Sequence, residues 1–202
     1  GRIVPAGPIW REVDERLKKA GEAADPAAKA IAAHYLAIAK GGAEPTPVMR
    51  LRAARLFADA GHLLPAVTEA DAAIATDASL VEGWVFLSSA HREAMLFDLA
   101  LEEIDRALEL LARPQPPESA YTPAELWLDR ARVLYALGRG EEAYDAYRKA
   151  AAGGREEPYE LALAALQAGK KREARRLLRE VAESGGDHAA AARAKLRRLE
   201  GS

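Results

Sequence analysis

"WLDRARVLYALGRGEEAYDAYRKAAAGG", residues 127–154, sets a Gly-x-Gly between two runs with helical apolar spacing. Such a loop either cradles a phosphate or folds one helix back on another, and the choice separates a nucleotide enzyme from a helical array. A phosphate loop needs a strand before it and often a Lys-Ser/Thr pair after it. Neither is present here, so "GRG" reads as a hairpin turn with Gly138 as the helix stop. The Gly pairs at 41–42, 153–154 and 185–186 each follow an alanine-rich run and read the same way.

Working outward, the same hairpin recurs. Ala66, Ala100, Ala143 and Ala174 each follow a turn by about five residues, at intervals of 34, 43 and 31. Ala73, Ala107, Ala150 and Val181 repeat those intervals seven residues later, two turns along the same helix face. Trp84 and Trp127 stand sixteen residues before their respective alanines. The interval of 43 is 34 plus a nine-residue insertion, "RPQPPESAY" at 113–121, with three prolines.

These positions resemble the tetratricopeptide repeat family, in its bacterial type, whose pattern runs W-x2-L-G-x2-Y, then A-x3-F, then P. "WVFLSSAH" supplies Trp84, Leu87, Ser88 and His91, followed by Ala100 and Ile104; "WLDRARVL" supplies Trp127, Arg130, Ala131 and Leu134, followed by Ala143 and Tyr147. Residues 47–80 keep Ala54, Phe57, Gly61, Ala66 and Ala73, and residues 155–185 keep Leu161, Ala162, Gly169, Ala174 and Leu178. The resemblance covers about two-thirds of the chain. It departs from the pattern at His91, where the family has Tyr, at Arg130, where it has Leu, and at the closing Pro, absent from most repeats. Arg130 is expected to snorkel or to find a carboxylate.

The fold expected is all-α: a right-handed superhelical solenoid of antiparallel helix hairpins, with about four repeats, an N-terminal hairpin and a C-terminal capping helix. The A helices are placed at about 47–60, 81–95, 122–137 and 156–168, and the B helices at about 63–77, 98–112, 140–152 and 171–184. Repeats thus occupy 47–80, 81–112, 122–154 and 155–185. Residues 8–42 form a degenerate hairpin, with Asp25 capping a helix that starts at Pro26, and 187–202 the cap. Residues 1–7 form an extended arm in which Ile3, Val4 and Pro5 are apolar. The arm either packs on its own first hairpin or enters the groove of a neighbouring copy.

Composition narrows the chemistry. The 202 residues hold 29 bases and 31 acids, a net charge of −2, so nucleic acid is not the expected partner. There is no cysteine, which removes thiolate catalysis and disulfides, and no apolar run approaches the roughly 20 residues that span a bilayer. The chain begins "GRIVPAGP" without Met; it is read as the product of leader removal, in preference to a cleavage scar, which favours an extracytoplasmic location. His34, His62, His91 and His188 are scattered, and no serine has a nucleophile-elbow context. The acid pairs Glu102–Glu103, Glu141–Glu142 and Glu156–Glu157 are expected to open helices, where carboxylates complement the dipole. No enzyme, cofactor or metal site is expected.

The resemblance implies a protein-interaction scaffold whose A helices line a concave groove. In the family register the groove residues are Leu51, Arg55, Val85, Ser89, Arg92, Leu128, Arg132, Tyr135, Tyr159 and Leu163. Three arginines over an apolar floor suit an extended peptide bearing a carboxylate. The chaperone-tail clamp of some family members needs Lys and Asn on the first A helix; Leu51 and Arg55 stand there instead. The alternative is a self-assembling subunit. Residues 169–202 hold ten bases and five acids, so that segment is +5 and the remainder −7, a division that either dresses a solvated helix face or matches copies end to end.

Overall fold

The computed structural model describes residues 45–200, within which every regular element is an α-helix. The expected arm, with Ile3, Val4 and Pro5, and the expected 8–42 hairpin lie outside the described residues. The chain divides into two units, Gly1–Gly83 and Trp84–Ser202.

In the first unit, α1 (Pro47–Asp59) and α2 (Leu63–Thr76) form a hairpin. The Thr46 hydroxyl accepts a bond from the Met49 amide at 3.3 Å, and Pro47 follows at the position where a missing N–H is harmless. Ala53, Ala54, Ala66, Ala70 and Ala73 have no solvent exposure, so the two helices approach with little more than methyl groups between them. Arg50 and Glu69 tie the helices across the hairpin at 3.2 Å.

The second unit takes in most of α3 (Val81–Glu93), then α4 (Phe97–Leu111), α5 (Pro123–Ala136), α6 (Gly140–Ala152), α7 (Pro158–Gln167), α8 (Lys171–Ser184) and α9 (Ala189–Glu200). From α4 to α9 each helix packs on the next in sequence, the nearest-neighbour pattern of a repeat stack. The alanine lattice is the reason: Ala100, Ala107, Ala143, Ala150 and Ala174 are wholly buried, and Val181 closes the series at 6% exposure. Leu87, Ile104, Leu110, Leu126, Leu134 and Leu178 fill the space beside them. Ser88, at the family's glycine position, donates its hydroxyl to the Ala100 carbonyl at 2.7 Å, which lets a polar side chain stand inside the α3–α4 hairpin.

Helix bounds agree with expectation to within two residues; α3 ends at Glu93 against an expected 95, and the other two-residue shift has a local cause. The last A helix starts at Pro158, with Glu157 outside it, because Pro fits the first helical position. Of the three acid pairs expected to open helices, only Glu141–Glu142 does so. Glu156 and Glu157 precede α7, and Glu102–Glu103 lie in the middle of α4, where Glu103 serves a tertiary contact.

The "GRG" turn is structural at both glycines. Gly138 takes φ +77°, the left-handed stop, and Gly140 is the first residue of α6, pressed against the end of α7. All four A-to-B turns among the described residues close with the same backbone bond. The amides of His62, Leu96, Arg139 and Lys170 donate to the carbonyls of Phe57, His91, Leu134 and Ala165 at 2.8–3.0 Å.

Candidate functional site: a charged concavity beside α5 and α7

The A helices of the second unit carry most of the expected groove residues, and burial sorts them. Val85 and Leu128 are 6% and 9% exposed and belong to the core more than to a surface. Ser89, Arg92, Arg132, Tyr135, Tyr159 and Leu163 are half-buried. In the first unit Leu51 is a core residue at 5% exposure, while Arg55 is exposed.

Leu128 and Arg132 come together in an open concavity of about 400 Å³, to which Tyr121, Glu125, Asp129, Arg155, Glu156 and Glu157 also contribute. Glu125, Leu128, Asp129 and Arg132 follow i, i+3, i+4, i+7 spacing along one face of α5. The segment between α6 and α7 brings Arg155, Glu156 and Glu157 over them. The N-terminus of α5 is firmly set: Thr122 and Glu125 form a capping box, with the Thr122 amide 2.9 Å from the Glu125 carboxylate.

Charge in the concavity is largely committed. Arg132 reaches Asp129 at 3.2 Å and Glu157 at 3.4 Å, and Arg155 binds Glu125. The Thr122 amide and hydroxyl, with the Arg155 guanidinium, hold the Glu125 carboxyl below its usual range. Four carboxylates face two guanidiniums, so the lining is net negative. Arg132, one of the three arginines expected to suit a ligand carboxylate, directs its forked donors to the chain's own acids. Arg92 is the half-buried arginine on this face whose guanidinium has no partner among the described residues.

Beside the concavity, Tyr135 and Tyr159 are fixed differently. The Tyr135 backbone carbonyl accepts from the Gln167 side-chain Nε2 at 3.2 Å, and the Tyr159 ring stacks on His188 with centroids 4.7 Å apart and planes 5° apart. Tyr147 is 4% exposed; burial, reinforced by the carboxylates of Glu160 and Glu157, pushes its phenol far above the usual range, so it stays neutral. One Glu160 oxygen is buried without a hydrogen-bond partner. Among the described residues no three His, Cys, Asp or Glu stand together as a metal site, and no helix is long and apolar enough to cross a membrane.

Tyr121, Arg155, Glu156 and Glu157 were not expected at the site. They come from inter-repeat segments, and Glu157 and Arg155 meet α5 partners 25 and 30 residues away. Glu125 and Asp129 were within reach, since they flank Leu128 and Arg132 at helical spacing.

Solved structures share this architecture. A tetratricopeptide repeat protein from Parabacteroides merdae aligns with a TM-score of 0.71 at 17% identity, over 95% of this chain and 73% of that one. MamA aligns at 0.64 with 18% identity, over 90% and 93% of the two chains. YrrB, described as a tetratricopeptide repeat protein with an unusual peptide-binding site, aligns at 0.63 with 16% identity, over 83% and 86%. No family model and no curated protein matches the chain. The chain has the all-α hairpin-solenoid fold of tetratricopeptide repeat proteins, and at these identities the likeness is one of fold.

Proposed function

We propose that the protein is a non-enzymatic interaction scaffold whose concavity beside α5 and α7 takes an extended segment of a partner protein presenting a lysine or arginine. The observation that carries this reading is the charge inventory of the concavity. Both of its guanidiniums are held by carboxylates of the same chain, and two negative charges are left over. A cation entering there meets Glu156, which has no partner among the described residues, and can share the carboxylates of Asp129 and Glu157 with Arg132, whereas a ligand carboxylate would have to displace the chain's own acids. Leu128 and Tyr121 supply the apolar and aromatic contact that an extended side chain needs. The expected groove positions Ser89, Arg92, Tyr135, Tyr159 and Leu163, half-buried on the A helices of the same unit, would extend this surface.

Fluorescence anisotropy with three labelled, extended peptides of about ten residues tests this, one lysine-bearing, one glutamate-bearing and one uncharged. The lysine peptide should bind about tenfold more tightly than the others, and Asp129→Asn with Glu157→Gln should abolish the difference. Equal or stronger binding of the glutamate peptide, or no binding by any of the three, would overturn the reading.

A further inference from the structure

One A-to-B turn departs from its counterparts. Where the other three carry Gly61, Gly138 and Gly169 at φ 74–77°, the turn between α3 and α4 carries Met95 at φ 58°. It is the one non-glycine residue with positive φ among the described residues. A side chain in the left-handed region is disfavoured because Cβ crowds the following carbonyl, and methionine has no short polar group to compensate. The strain is not repaid by burial: Met95 is 74% exposed.

Its neighbours are equally out of place. Leu96 is 48% and Leu99 45% exposed, while the corresponding positions are Arg139 and Glu142 in the third turn and Lys170 and Glu173 in the fourth. Nothing in the hairpin requires apolar residues there, since the same backbone bond closes the polar turns. Together Met95, Leu96 and Leu99 make an apolar projection on an otherwise charged surface. Glu93, Asp98 and Glu102 surround it in sequence, all exposed and none of them in a hydrogen bond or ion pair among the described residues.

The complementary surface is on the same unit. Residues 84–168 hold nine bases and fifteen acids, a net of −6, and residues 169–202 ten and five, a net of +5. In the α8–α9 hairpin Arg175 is tied to the Leu199 carbonyl and Arg176 to Glu173 and Glu180, but Lys171, Arg172, Arg179, Arg197 and Arg198 are exposed without partners among the described residues. Beside Arg197 and Arg198 the exposed face of α9 bears the small side chains of Ala190, Ala191 and Ala194, with Arg193 at its edge.

We propose that the Met95–Leu96–Leu99 projection of one copy docks on the outer face of the α8–α9 hairpin of a second copy, with Glu93, Asp98 and Glu102 facing Arg197 and Arg198. Charge complementarity selects the occupant: the acidic rim excludes a like-charged surface, and the largest unpaired positive surface described is on this chain. The contact joins two different surfaces, so each bound copy still offers one of each and growth continues unless the rotation closes a ring.

Sedimentation velocity of the full chain at low and high salt tests this, together with three variants. The wild type should show a weight-average mass at least about twofold above the monomer at low salt, falling toward it as screening rises. Leu99→Glu and Arg197→Glu/Arg198→Glu each block one surface and should be monomeric alone; mixed, they should form 1:1 dimers and nothing larger. Met95→Gly should also dissociate the protein while raising its melting temperature by about 2–4 °C, a pairing that a merely structural role does not produce. A wild type that stays monomeric at low salt overturns the proposal, as does association that either blocking variant leaves intact.

Discussion

Gly140 stands so close to the C-terminal turn of α7 that a Cβ on it would lie 2.6 Å from the Ala168 amide nitrogen. The neighbouring atoms are backbone, which cannot swing aside as a side chain can. Gly138, two residues earlier, has open space around it and is glycine for its φ of +77° alone.

The two glycines of "GRG" should therefore fail differently. Gly140→Ala should cost about 1–3 kcal/mol by forcing α6 and α7 apart. Gly138→Ala should cost about 1–2 kcal/mol through backbone strain without loosening α7. Urea unfolding measures the totals, and hydrogen exchange in α7 separates the causes; unchanged stability in Gly140→Ala would refute the close packing.

Arg130 takes the leucine position of the repeat and puts its Nε 2.5 Å from Asp105 on α4, beside Trp127. Arg130 lines a hollow together with Leu108, Leu111, Pro123 and Trp127. Arg130→Leu should thus be tolerated within about 1 kcal/mol, because the apolar replacement removes the need for a partner. Arg130→Ala should cost more, having lost the packing of the side-chain stem as well. Equal effects of the two substitutions, measured by denaturant midpoints, would contradict this.

The pair of His91 and Glu103, with Nδ1 2.8 and 2.9 Å from the two carboxylate oxygens, joins α3 to α4 in a half-buried setting. A double-mutant cycle of His91→Ala and Glu103→Ala should give a coupling energy of about 1 kcal/mol. Strict additivity would show that the two groups do not act together.

Glu125 contributes stability in a pH-dependent way. Its carboxyl is held below the ordinary 4.5 by the Thr122 amide and hydroxyl and by Arg155. A depressed acid stabilises the fold above its unfolded pKa, and that contribution is lost as pH falls through the folded value. Thr122→Ala should remove about 1 kcal/mol at neutral pH and flatten the loss of stability on acidification below about pH 4.5. An acid limb of the stability profile identical to wild type would count against the capping box.

Most of the fold was legible because its causes are local or periodic. Turn glycines, buried alanines and N-terminal prolines recur at fixed offsets, and they place the helices between α1 and α8 within two residues of expectation. The candidate site was only partly legible. Leu51, Val85 and Leu128 satisfy the register of a groove-facing position yet are nearly buried, because neighbouring helices cover a wider stripe than the spacing reveals. Arg132 and Arg155 are neutralised by contacts spanning 25 and 30 residues, which no periodicity announces. Met95 escaped because it sits where three other turns have glycine, and its exposure follows from the backbone and not from hydropathy.

Hydrogen-exchange mass spectrometry of the full chain, with and without the lysine-bearing peptide, tests the central claim most directly. The working surface being the concavity beside α5 and α7, protection should rise within residues 121–132 and 154–163 and leave α9 unchanged. Protection confined to other helices, or none at saturating peptide, would contradict the account.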